Sequence, residues 1–368
     1  MTKFFIPNDR IGLQTCQKSI PGIFAALNAL LAGDASVGWH TGGLRLAETP
    51  LWPEGHYYQG GYSLEATPEA RTILEEREVH FEELPALPEP QIGLRATKAA
   101  LYAGRGADIQ FARPLMDVLK MAGFDFRMID DGEVRAGKLD AFDVLIVPGS
   151  PDAGECYYAG LGDRGYDKIR SFVAGGGHYM GICGGAYLPL TSYHAKNPYW
   201  LGIVEATDNE DLDYWRAGSG FVRCRVDDGA HPVFSSVALG SSPTLNLVYW
   251  EGPAITVTGG NVKPLAHFES LLASGKDPLK PHWDILDNSM AENAVRGWYN
   301  CLTPELFEKI LANKCACAEA GYGKGRLLLH SPHPEMGNFG SGPWAESLNF
   351  LLIYNGLCYL AGRQTVLA

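Results

Sequence analysis

The sequence predicts an α/β fold: a doubly wound, mainly parallel sheet with helices on both faces, an antiparallel β excursion and an N-terminal accessory segment. Three observations carry this. From residue 98 onward, short apolar runs alternate with amphipathic stretches at the spacing of strand and helix units. One of those runs, FDVLIVPG at 142–149, is nearly all apolar, as a strand covered on both faces must be. A third run, HYMGICGGAYL at 178–188, leads a short strand through Cys183 and then Gly184 and Gly185 into a helix, the form of a sharp strand-to-helix elbow.

Residues 1–90 read as the accessory segment and 91–368 as the main domain. The segment holds a helix at 22–31 and a charged helix at 68–77, separated by stretches rich in glycine and aromatic residues. There Trp39, His40, Trp52, His56, Tyr57 and Tyr58 form either a lid or subunit contact, or an apolar face packed on the main domain. ELPALPEPQI, at 83–92, has prolines and no periodicity, and reads as a linker. KAALYAG (98–104) is then the first main strand. The helix at 109–122 presents Leu115, Val118, Leu119 and Ala122 on one face and stops at Gly123. FDFRMI (124–129) and FDVLIVPG (142–149) are the next strands, and Tyr166, Ile169, Phe172 and Val173 mark a helix that ends in a glycine run. HYMGI is the fourth strand and delivers Cys183. Short strand-like runs over 219–268 form the antiparallel excursion, a helix spans 304–320, GKGRLLLHSPHPE is a strand leaving into a polar loop, and a helix at 344–361 closes the chain.

The bulk properties narrow the function. With 42 acidic against 30 basic residues, a net charge of −12 excludes nucleic acid and anionic membranes as main partners. The start, MTKFFIPNDR, lacks an apolar core of signal-peptide length, and no stretch reaches about 18 apolar residues, so a cytoplasmic location is expected. Eight cysteines without a repeating framework suit a reducing compartment. Cys315 and Cys317 form a CxC too small to argue for zinc, so neither a metal nor another cofactor is expected. The expected partner is a small-molecule substrate. A homo-oligomer and a separate acceptor enzyme both remain open.

In a parallel sheet, reactive groups collect beyond the carboxyl ends of the strands, so Cys183 and the loop after Gly149 should be neighbours. A cysteine nucleophile needs a base and a group to orient that base. The segment HSPHPE supplies both, in His333 and Glu335, directly after a predicted strand. If that segment is extended, the two side chains point the same way. His330 is the rival base, without a carboxylate in register. The attacked carbonyl also needs an oxyanion hole, whose donors are worth about 3 to 4 kcal/mol each. The amide after the nucleophile, at Gly184, is one donor. The other comes from VPGSPDAG, where Gly149 permits the turn and Ser150, unlike Pro151, has an N–H.

The order YAG, FDVLIVPGS, GGGHYMGICGGAYL, LVYWEGP and GKGRLLLHSPHPE resembles the class I glutamine amidotransferase-like superfamily. Within it the chain is most similar to the domain at the N-terminus of eukaryotic biotin-protein ligases and its free-standing bacterial relatives, over about residues 95–362. The resemblance implies a flavodoxin-like sheet and a Cys183, His333, Glu335 triad. Two departures bound it. True glutaminases of the superfamily place glutamine four residues after the nucleophile, where this chain has Tyr187, so simple glutamine is not the expected substrate. The biotin ligase catalytic part is absent as well, the sole GRG lying in YAGRGAD. Tyr249, Trp250 and Glu251 in VYWEGP, Asp152 and Tyr187 are the substrate-binding candidates beside Gly149, with residues 155–158 following the same loop. The reading is a cysteine-dependent hydrolase or amidotransferase-like enzyme acting on an amide or related acyl carbonyl. Its alternatives are a catalytically idle small-ligand-binding or regulatory module of the same fold, and addition of Cys183 to a carbonyl or nitrile without net hydrolysis.

Overall fold

The computed structural model describes residues 2–8, 17–46, 55–191, 199–208, 218–237, 242–274, 302–337 and 348–364. Its main sheet has nine strands in the order Thr244–Trp250, Ser219–Val226, Val262–Ser274, Cys315–Tyr322, Gly325–His330, His178–Ile182, Val144–Val147, Lys98–Tyr102 and Asp125–Ile129. The last five are parallel, the doubly wound half expected from the sequence. The antiparallel strands do not leave this sheet but extend it through Gly325–His330.

Period-2 alternation sorts the strand side chains between two layers. Val144, Ile146 and Met180 join Leu115, Val118 and Leu119 of helix Ile109–Met121, together with helix Phe350–Ala361. Leu145, Val147 and Tyr179 face Leu161, Ile169 and Val173 of helix Ala153–Gly175. That helix is longer than its sequence signal and is kinked at Gly162, whose φ of 55° only glycine adopts readily. Among the described residues no helix is long and apolar enough to cross a membrane.

The accessory segment builds a second, antiparallel sheet in the order Glu82–Leu84, Lys3–Pro7, Gly61–Glu65, Val37–His40, Ile92–Gly93 and Arg363–Gln364. Glu83, Leu84 and Ile92, at the two ends of the expected linker, are strand residues of this sheet because they pair with it, and the chain's last described strand pairs with Ile92–Gly93. Trp39, His40 and Tyr58 are buried here, whereas Tyr57 is exposed and Trp52 lies outside the described residues. Helix Ile20–Ala32, capped by Ser19, bridges the two sheets. Its Phe24 meets Tyr62 at 5.8 Å, Phe124 at 6.3 Å and Tyr354 at 4.8 Å between ring centroids.

One sequence expectation fails in the main sheet. The helix expected over 304–320 is only a short helical stretch, Pro304–Leu306 followed by Phe307–Leu311, and Cys315–Tyr322 is an interior strand. CACAEAGY has helix-forming residues, but ladders on both sides and burial of its cysteines and alanines override that preference.

If Phe24 ties the two sheets together, Phe24→Ala should cost about 3 to 5 kcal/mol in denaturant unfolding. Met128→Ala, at a 43% exposed position on the edge strand, should stay within about 0.5 kcal/mol.

Candidate active site

Three adjacent parallel strands deliver the site. Val144–Val147 exits into Gly149 and Ser150, His178–Ile182 into Cys183, and Gly325–His330 into the loop carrying His333 and Glu335. The last two strands stay paired to their ends, with Ile182 opposite His330 and the Cys183 N–H donating to the His330 carbonyl at 2.8 Å.

Cys183 sits at φ 53°, ψ −111°, a strained conformation for a residue with a side chain. The turn is tight enough to fix its neighbours as glycine. A methyl on Gly185 would lie 2.0 Å from the Val147 carbonyl oxygen, and one on Gly184 would lie 2.7 Å from the Ser150 nitrogen. The helix after the elbow is one turn, Gly184–Tyr187. The Cys183 thiol is 4% exposed and donates to the Trp250 carbonyl at 3.2 Å.

His333 is held at both ends of its residue. Its N–H donates to the Val248 carbonyl at 2.8 Å, so the antiparallel half of the sheet positions the histidine, and its Nδ1 lies 2.6 Å from Glu335 Oε1. Both side chains are fully buried. Glu335 reaches the imidazole through the 3-10 turn Pro334–Met336, not along the extended segment that the sequence spacing suggested. With the carboxylate at Nδ1, the tautomer assigned from this contact leaves Nε2 as the basic nitrogen, and Cys183 is the other side chain that acts on the ring by hydrogen bonding. Burial pushes the imidazole's pKa down, but the Glu335 carboxylate and the Cys183 sulfur outweigh it and raise the value to about 10.

His330 shows what the carboxylate does. It is equally buried, its Nδ1 lies 3.4 Å from Cys317 Sγ, and burial alone lowers it to about 4. Cys315 and Cys317 are pushed up by burial, Cys315 to about 12, and among the described residues no group of three or more His, Cys, Asp or Glu could hold a metal ion.

The Ser150 and Gly184 backbones meet at the elbow, as the contact above shows. Gly184 opens the one-turn helix, where N–H groups have no helical acceptor. The other candidates have structural partners. Ser150 Oγ donates to the Asp152 carbonyl at 3.0 Å, and the Asp152 carboxylate caps helix Ala153–Gly175 through the Glu155 N–H at 3.1 Å. Tyr249 donates to the Gly252 carbonyl at 2.7 Å, and Glu251 adopts a φ of 53°. Tyr187 is buried against Trp200, 6.0 Å between ring centroids. Tyr157 donates to the Pro148 carbonyl, and its hydroxyl would lie 3.2 Å from a methyl on Gly184. Tyr158 instead bonds Asp163 at 3.1 Å. In YAGRGAD, the Arg105 N–H and Tyr102 hydroxyl both bind Asp131, at 2.8 Å and 2.6 Å, which closes that turn on itself.

Sequence reasoning did not single out Phe111, which stacks on His333, or the Trp250 carbonyl. Phe111 lies four residues before Leu115 and reads as one more core position on its helix. A backbone carbonyl leaves no mark in sequence.

The family described as "Biotin-protein ligase, N terminal" matches residues 139–198, the segment holding Gly149, Ser150 and the elbow. Over those residues this agrees with the resemblance of the motifs to the biotin-protein ligase N-terminal domain. No curated protein matches it. Among solved structures, PurLQS from Thermotoga maritima is 14% identical with a TM-score of 0.45, covering 72% of this chain and 99% of that one. A glutamine amidotransferase is 17% identical with a TM-score of 0.41, covering 72% and 98%. A glutamine amidotransferase from Thermotoga maritima is 11% identical with a TM-score of 0.37, covering 66% and 78%.

Glu335→Gln should shift the balance at His333. Followed by NMR, the imidazole midpoint should fall from about 10, because burial is then opposed by the sulfur alone. An unmoved midpoint would show that Glu335 does not hold the proton on this ring.

Proposed function

We propose that the chain is a cysteine-dependent hydrolase or amidotransferase-like enzyme acting on an amide or related acyl carbonyl. The observation that carries this reading is the buried His333–Glu335 pair, 2.6 Å apart, beside a strained cysteine at the end of the neighbouring strand. In the first step His333 Nε2 takes the Cys183 proton and the sulfur attacks the carbonyl carbon. Glu335 holds the resulting imidazolium, and the N–H groups of Gly184 and Ser150 face the oxygen that gains charge. As the carbon–nitrogen bond breaks, the imidazolium passes its proton to the leaving amine and a thioester remains. Water, deprotonated by the same histidine, then attacks the thioester and releases the acid, or an amine acceptor takes the acyl group. Tyr187, where glutaminases of the superfamily carry glutamine, directs the reading toward an acyl substrate other than simple glutamine.

The test uses p-nitrophenyl acetate as a minimal acyl donor. Wild-type protein should release p-nitrophenol with an acetyl group on Cys183 detected by mass spectrometry. Cys183→Ala should show no such adduct, and His333→Ala should form it about a hundredfold more slowly or less. Ammonia release from glutamine should stay at background. Acetylation that ignores His333, or its absence from Cys183, would overturn the reading.

A further inference from the structure

A single aromatic ring touches the base, the strand end that receives the thiol, and the oxyanion loop. Phe111, in the first turn of helix Ile109–Met121, stacks on the His333 imidazole with centroids 4.8 Å apart and planes at 26°. It meets Trp250, whose carbonyl accepts from Cys183, edge-on at 5.6 Å and 82°. It also lies against Gly149, where a methyl would come 2.6 Å from Phe111 Cδ2. The helix start is itself tied to that loop, because the Asp108 N–H donates to the Gly149 carbonyl at 3.0 Å and the Asp108 carboxylate caps Gln110 at 2.9 Å.

We propose that Phe111 is a positioning residue for the base: its ring fixes the plane of His333 and presents a π face to the imidazolium that forms when Cys183 gives up its proton. This rests on the assignment of Cys183, His333 and Glu335 given above. A histidine ring turns over a broad χ2 range, and the groups that act on its edge are Glu335 at Nδ1 and the Cys183 sulfur. Face contact removes the remaining swing about the ring plane. An aromatic face attracts a cation more than a neutral ring, so the contact strengthens as the proton arrives. The charged groups that act on the imidazole are Glu335 from its own turn and Cys183 from the elbow; Phe111 and Trp250 bring none.

Phe111→Leu keeps apolar bulk without the ring, and Phe111→Tyr keeps the ring. In Phe111→Leu, acetylation of Cys183 by p-nitrophenyl acetate should slow about tenfold and the His333 NMR midpoint should fall by about one pH unit, while Phe111→Tyr should restore both toward wild type. If Phe111→Leu does not fold, Phe111→Met reads the same two quantities. A wild-type rate and midpoint without the ring would overturn the inference, as would a Tyr variant as impaired as Leu. The two assignments fail separately. Unaltered acetylation in His333→Ala sinks the base itself, whereas normal His333 dependence with an indifferent Phe111→Leu sinks only the role of Phe111. The midpoint reports on Phe111 even if the acyl donor does not react.

Discussion

The backbone turn at Cys183 is the constraint on which the site depends. A residue with a side chain at φ 53° carries strain of about 1 to 3 kcal/mol and persists only where its surroundings over-determine it. Here the surroundings are the parallel ladder on both sides of His178–Ile182, the Cys183 N–H bonded to His330, and the Gly185 backbone pressed against Val147. The same crowding brings the Ser150 and Gly184 backbones together. The proposed nucleophile, oxyanion loop and base therefore leave the sheet on three consecutive strand ends, and their spacing is set by the roughly 4.8 Å strand separation, not by loop flexibility.

Charge balance then decides which histidine serves. His330 and His333 stand three residues apart, both buried, and burial disfavours the charged form of each. Only His333 has a carboxylate at its Nδ1 and the Cys183 sulfur beside it, and these two groups separate a value near 4 from one near 10. Because the folded value of His333 lies above the ordinary one of about 6.5, the stabilisation it contributes is fully present below about pH 6.5 and is lost as pH rises through about 10. The turn Pro334–Met336 supplies the carboxylate and the elbow supplies the sulfur.

Much of this was legible in sequence because it follows from period and punctuation. The apolar run around Val144 to Val147 and the glycines around Cys183 each have a local physical reason and stand where expected, whereas the HPE tripeptide follows its strand as expected but turns where an extended segment was expected. What was not legible depends on distant partners. CACAEAGY becomes a strand because two ladders claim it. The accessory sheet is built from strands of two to five residues, too short for alternation to register, and closes on Arg363–Gln364 from the far end of the chain. Phe111 looked like core because it is core: its ring packs with Phe221, Val248 and Met336 while its face covers the base. Tyr187, first noticed as a missing glutamine, is buried against Trp200 beside the elbow.

The most direct measurement of the central claim is the rate at which iodoacetamide alkylates Cys183 at about pH 7, in wild type and in His333→Ala. The reagent is small, Cys183 is 4% exposed, and truncating His333 widens access to it, so slower reaction in the variant reports on proton removal. If His333, held by Glu335, takes the thiol proton, the variant should react about tenfold more slowly or less. Equal rates in the two folded proteins would mean that Cys183 is an ordinary buried thiol on a strained turn, and the account would be wrong.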